Sequence, residues 1–148
     1  MLTQQTTTSR RSRAKTAPAL VAVQSIFRAF VSTIVPESAA LDERGWNELE
    51  ANVEEALRER PAGMHRQLRV FLRVIQAISV LRYGRPFTAL DGNRRANLLS
   101  HLQDHALQLI RTGFWGLRTL AFLGYYGRLD AGREIGYVPD PRGWEARR

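Results

Sequence analysis

The chain has 148 residues, a formal net charge of +8 and no cysteine. That length suits one domain with a core of its own. The missing cysteine excludes disulfides, thiolate metal sites and cysteine nucleophiles.

The charge is uneven along the chain. Residues 1–20 carry Arg10, Arg11, Arg13 and Lys15 and no acid, residues 37–60 carry eight acids against three bases, and residues 61–128 carry ten arginines against Asp91 and Asp104. Such asymmetry points to an acidic partner, an acidic lipid surface or nucleic acid. The most apolar run, "LIRTGFWGLRTLAFLGYYG", is interrupted by Arg111 and Arg118. Charges at that depth are costly in lipid, so no membrane-spanning helix is predicted.

Residues 1–16 are polar, Thr/Ser-rich and basic, which predicts a disordered tail. Ser9-Arg10-Arg11, with Lys15 beyond, has the outline of a twin-arginine export motif. Arg13 and Ala14 stand where that motif favours bulky apolar residues, and the apolar stretch that follows is short and contains Gln24. The expectation is therefore a cytoplasmic protein, with periplasmic export through a degenerate signal as the alternative.

The first helix is predicted over residues 18–34, opened by Pro18 and closed by Pro36, with Val23, Phe27, Phe30, Val31 and Ile34 in one stripe. In the second, residues 41–60, Trp46, Leu49, Val53 and Leu57 recur at core-facing steps. Its Glu48, Glu50, Glu54 and Glu55 read as a solvated acidic face. The third runs from Pro61 to a stop at Gly84, and its apolar side is wide: Leu68, Phe71, Leu72, Ile75, Ile78 and Leu81, extended by Val70, Val74 and Ala77. That width predicts either a central helix or one covered by a second protein.

Asp91 is placed to cap a fourth helix, in which Leu98, Leu99 and Leu102 face inward. A fifth covers residues 107–126, with Gly113, Gly116 and Gly124 expected to permit close backbone approach and Gly127 to end it. The remainder is aperiodic and rich in Gly and Pro, with Ile135, Tyr137 and Trp144 as large anchors. The predicted fold is all-α: a compact bundle of about five helices over residues 17–127, a disordered basic tail over 1–16 and an extended partner-binding tail over 128–148.

Little in the sequence carries chemistry. His101 and His105 lie four apart, near Asp104, a spacing that can hold a transition metal but lacks a fixed third ligand. No serine sits in a nucleophile elbow and no Gly-rich phosphate loop follows a strand, so no catalytic, cofactor-binding or metal-binding residue is assigned. Arg66, Arg69 and Arg73, three and four apart, could track phosphates, which makes a basic helical nucleic-acid-binding module the alternative reading.

Four segments occur in a telling order: "FRAFVSTIVPES" at 27–38, "RPFTALDGNRRANLL" at 85–99, "LRTLAFLGYYG" at 117–127 and "EIGYVPDP" at 134–141. In that order and spacing the chain resembles the gluconate 2-dehydrogenase subunit 3 family, the small gamma subunits of FAD-dependent dehydrogenases whose large subunit is of the glucose–methanol–choline (GMC) type. The resemblance implies a non-catalytic helical accessory subunit that binds the flavoprotein and supports its maturation or stability. FAD would reside in the partner, a cytochrome c subunit could complete the complex, and no nucleic acid would be bound. Exported relatives carry the twin-arginine signal, from which Arg13 and Ala14 depart here.

On that reading Pro86 fixes the connection between the third and fourth helices, and Phe87 is either a plug in the bundle or an anchor in the partner. Arg85 pairs with a partner acid or caps the third helix. Tyr125, Tyr126, Ile135, Tyr137 and Trp144 complete the candidate interface.

Overall fold

The computed structural model describes residues 18–128. Five α-helices follow one another: α1 (Gln24–Ile34), α2 (Glu43–Arg58), α3 (Ala62–Tyr83), α4 (Gly92–Gln103) and α5 (Gln108–Tyr126). There is no strand among the described residues, and the fold is an all-α bundle. Short 3-10 turns precede α1, follow it at Pro36–Ala40 and link α3 to α4 at Phe87–Ala89.

The helix ends follow from local chemistry. Val35, ahead of Pro36, leaves helical geometry at φ −123° and ψ 85°. Asp42 Oδ1 accepts from the Gly45 N–H at 2.8 Å, and Asp91 Oδ1 accepts from the Arg94 N–H at 2.8 Å. Gly84 takes the left-handed conformation at φ 69°, where its N–H reaches the Val80 carbonyl at 2.8 Å. The first helix starts later than expected: Val21–Val23 is a 3-10 turn and the α-helix begins at Gln24.

The helix at the centre is α1, not α3. Ile26, Phe27, Ala29, Phe30 and Val31 are all buried, against α3, α4 and α5. Phe30 meets Phe114 of α5 edge to face at 5.9 Å. On α3 one stripe, Leu68, Leu72, Ile75 and Ser79, is buried, while Val70, Val74, Ala77 and Leu81 are exposed. Of the two explanations for its wide apolar side, the central position is therefore excluded.

The acidic face of α2 is not simply solvated. Glu50 Oε1 takes the Arg28 Nε–H at 2.5 Å, and Glu43 takes the same guanidinium at 2.9 Å. The Arg28 guanidinium also lies 5.2 Å from the Trp46 ring centroid. Glu54 accepts from the backbone N–H groups of Ala19 at 3.1 Å and Leu20 at 2.7 Å. These carboxylates hold the start of the chain's helical part against α2, supplying acceptors for N–H groups that have no intrahelical partner. Glu48 and Glu55 remain in exposed pairs with Arg44 and Arg58.

Helices α2 and α5 approach through Gly124. A Cβ there would stand 2.8 Å from Val53 Cγ2 and 3.1 Å from the Leu49 carbonyl oxygen. Gly113 likewise accommodates the Phe71 ring, whereas Gly116 faces open space and needs no such explanation. Gly124→Ala is expected to destabilise the protein by about 1–3 kcal/mol, although alanine is the better helix former by about 1 kcal/mol. The check is a urea denaturation of the purified variant; a gain in stability would mean the two helices separate freely.

Candidate functional site

The connection between α3 and α4 is an internal brace. Pro86, at φ −63°, precedes the turn Phe87–Ala89, and the Phe87 side chain is 0% exposed within the core. Arg95 of α4 reaches back over it. Its Nε donates to the Phe87 carbonyl at 3.0 Å, its Nη2 to the Thr88 carbonyl at 2.6 Å, and its guanidinium lies 5.7 Å from the Phe87 ring centroid. Phe87 is thus the plug and not a presented anchor, because this chain's own helices have already filled its surroundings.

Arg85 is exposed and does not cap α3. The Ser79 hydroxyl donates to the Arg85 carbonyl at 2.7 Å, and the Arg85 guanidinium has no hydrogen-bond partner among the described residues. Nothing in the sequence singled out Arg95; only its neighbours in space identify its task.

The two tyrosines at the end of α5 separate. Tyr125 is buried, with the Arg128 guanidinium 4.5 Å from its ring centroid, and Arg128, expected in the tail, is itself buried. Tyr126 is 41% exposed and stacks on Phe122 at 6.0 Å. Ile135, Tyr137 and Trp144 lie outside the described residues.

A further aromatic row emerges on the outer side of α5. Trp115 is 44% exposed, and the Arg118 guanidinium lies 4.9 Å from the Trp115 ring and 5.3 Å from the Phe122 ring. Trp115, Arg118, Phe122 and Tyr126 follow one another at three- and four-residue steps, a periodicity that was available in the sequence. Leu123 is also exposed, at the cleft beside Asn52 and Glu55. Trp, Tyr and Arg are the residue types that dominate binding energy at protein interfaces.

On α3, Val70 is 50% and Leu81 87% exposed. Arg66 and Arg73 are exposed beside them and Arg69 is half-buried; none of the three forms an ion pair among the described residues. Exposed apolar side chains grouped on two helices and bordered by charge have the composition of a protein-binding surface.

The histidines do not share a helix face. Helix α4 ends at Gln103, so His105 lies beyond it, where its Nδ1 accepts from the Leu107 N–H at 3.0 Å. His101 Nδ1 donates to the Asn97 carbonyl at 2.7 Å, and its Nε2 accepts from Arg82 at 3.3 Å. Both rings are therefore engaged with the chain itself.

Two open clefts are shallow. One, of about 210 Å³, runs between α1, α4 and α5 and has Arg118 as its titratable group; the other, of about 350 Å³, has Glu55 and Glu59 at its edge. Neither brings a nucleophile and a base together.

The fold and this surface define a helical bundle whose core is complete but whose outer faces on α3 and α5 carry apolar and aromatic side chains. No helix among the described residues is long and apolar enough to cross a membrane. Comparison with protein-family models, with curated proteins and with solved structures finds no match to this chain.

Proposed function

We propose that this chain is a non-catalytic accessory subunit that binds and stabilises, or matures, a GMC-type FAD-dependent dehydrogenase acting on CH–OH groups of a sugar, polyol or alcohol. The observation that carries the reading is the exposed apolar and aromatic surface of α3 and α5 on a bundle whose own core is already filled. The order of the four sequence segments supplies the identity of the partner. In this reading the flavin belongs wholly to the large subunit, and this chain contributes burial. Covering apolar surface on both chains stabilises each by linkage.

The test is a tagged purification from the native host with an absorbance spectrum of the eluate. A near-stoichiometric second chain with the visible absorbance of oxidised flavin is expected. A Soret band would add a cytochrome c subunit and favour export over a cytoplasmic location. The protein alone, colourless and monodisperse, overturns the reading.

Arg66 and Arg73, exposed and without an ion pair among the described residues, favour one rival, a basic helical module that binds nucleic acid. If Arg69→Ala and Arg73→Ala abolish a sequence-tolerant, salt-sensitive DNA shift, that rival replaces the accessory reading.

A further inference from the structure

The outer face of α3 has an order that its own core does not use. Val70, Val74, Ala77 and Leu81 are spaced by four, three and four residues, and all are exposed. Continued toward the N-terminus the same alternation reaches Gln67 and Gly63, also exposed. Six positions at alternating steps of four and three residues have the spacing of a coiled-coil seam, about 27 Å long at the helical rise. The buried stripe through Leu68, Leu72, Ile75 and Ser79 lies on the opposite side of the helix. Valine is a weak helix former, so a face left in water gains nothing from it.

The edge of the seam is charged in one sense. Arg66 and Arg73 directly precede Gln67 and Val74, which puts them on one flank of the seam, and the exposed Val80, just before Leu81, completes that flank. Residues 61–90 contain Arg66, Arg69, Arg73, Arg82 and Arg85 and no acid. The opposite flank is occupied by Phe71 and Ile78, which are half-buried and packed against this chain's core.

This arrangement selects its occupant. A second copy docked antiparallel would set Arg66 and Arg73 against their own counterparts, a like-charge contact that opposes pairing. Docked parallel, the arginines would meet Phe71 and Ile78 and gain no ion pair. A lipid surface is favoured by large aromatic side chains, whereas the exposed apolar side chains along this seam are Val, Ala and Leu.

We propose that the exposed seam of α3 docks a helix of a different protein that carries Asp or Glu along the edge meeting Arg66 and Arg73. Gly63 and Ala77 leave the holes, and Val70, Val74 and Leu81 are the knobs. The inference rests on the partner-binding reading above and adds the surface and the chemistry of the partner.

The test uses the full chain and two labelled synthetic helices about three heptads long, with the same leucine seam and either glutamate or lysine along both edges. Binding is read by fluorescence anisotropy. The glutamate-edged helix is expected to bind roughly tenfold tighter than its lysine-edged twin, with the preference shrinking as salt rises. The double variant Arg66→Glu, Arg73→Glu should reverse the preference, and Val74→Asp should weaken both helices. Arg66 and Arg73 are exposed and Val74 is 36% exposed, so circular dichroism should stay as in the parent and the melting temperature should fall only slightly for Val74→Asp.

Equal binding of the two helices, or a preference untouched by the double variant, overturns the proposal. So does a dimer in sedimentation that Val74→Asp dissolves, which would make a second copy the occupant. Binding to vesicles containing phosphatidylserine, with neither helix bound, would make it a lipid surface. A co-purified flavoprotein indifferent to Val74→Asp would sink this inference and leave the proposed function standing. Charge reversal with the synthetic helices in the absence of any flavoprotein partner would do the opposite.

Discussion

Phe87→Ala is expected to cost about 3–5 kcal/mol of stability, a large share of what a domain of this size possesses. The ring is fully enclosed, and the turn that carries it is tied to α4 by two hydrogen bonds from Arg95. Truncation leaves a cavity under a backbone that those bonds prevent from collapsing, so the loss includes both transfer and cavity contributions. The measurement is a urea titration of parent and variant, compared at equal slope. Arg85→Ala, two residues earlier but exposed, should change stability by no more than about 0.5 kcal/mol. A Phe87→Ala loss below that of an ordinary surface change would show that the connection is not a plug. Any weakening of a partner complex by Phe87→Ala then has to be read against unfolding, which Val74→Asp avoids.

The second large effect concerns Arg28. Its guanidinium joins Glu50, whose side chain is 13% exposed, to the more exposed Glu43, and it covers the Trp46 ring. Arg28→Met keeps much of the volume but leaves the Glu50 carboxylate without its cation. The expected loss is about 2 kcal/mol, below the range for fully buried pairs because solvent still reaches this one.

The same site should show in the pH dependence. The hydrogen bond from Arg28 holds the Glu43 carboxyl below its ordinary range. A carboxyl whose pKa is lower in the folded state contributes stability that is fully present above its unfolded pKa and is lost as pH falls through the folded one. The penalty for Arg28→Met should therefore be largest near neutral pH and shrink in acid as Glu43 takes up its proton. Denaturation midpoints of parent and variant across that interval provide the check, and a penalty independent of pH would remove Glu43 from the pair.

The functional reading depends on two kinds of information that the chain presents differently. The motif order that resembles the small subunits of GMC dehydrogenases is a property of sequence, and the proposed partner rests on it. The bare faces of α3 and α5 are a property of the packed bundle, and they locate where a partner would sit. Read from sequence, the interface falls around Arg85, Pro86, Phe87 and the last aromatic residues. The described structure turns Phe87 and Tyr125 inward, leaves Arg85 and Tyr126 outside, and adds Trp115 and the α3 seam.

By itself the sequence determined the five helices and most of their ends. Those depend on interactions within a few residues: the carboxylate of Asp91 on a nearby N–H group, the left-handed Gly84, and Pro36 acting on Val35. It also determined that α3 carries more apolar residues than one core stripe needs. Only the tertiary structure decided which stripe is covered, because periodicity fixes which residues share a face but not what packs against it. For the same reason it alone turned Glu50 and Glu54 from a solvated face into a clamp on the first helix and the turn before it, and put Arg95 over Phe87. Burial and pairing between residues distant in the chain are set by the packing of several elements at once, and no local pattern contains them.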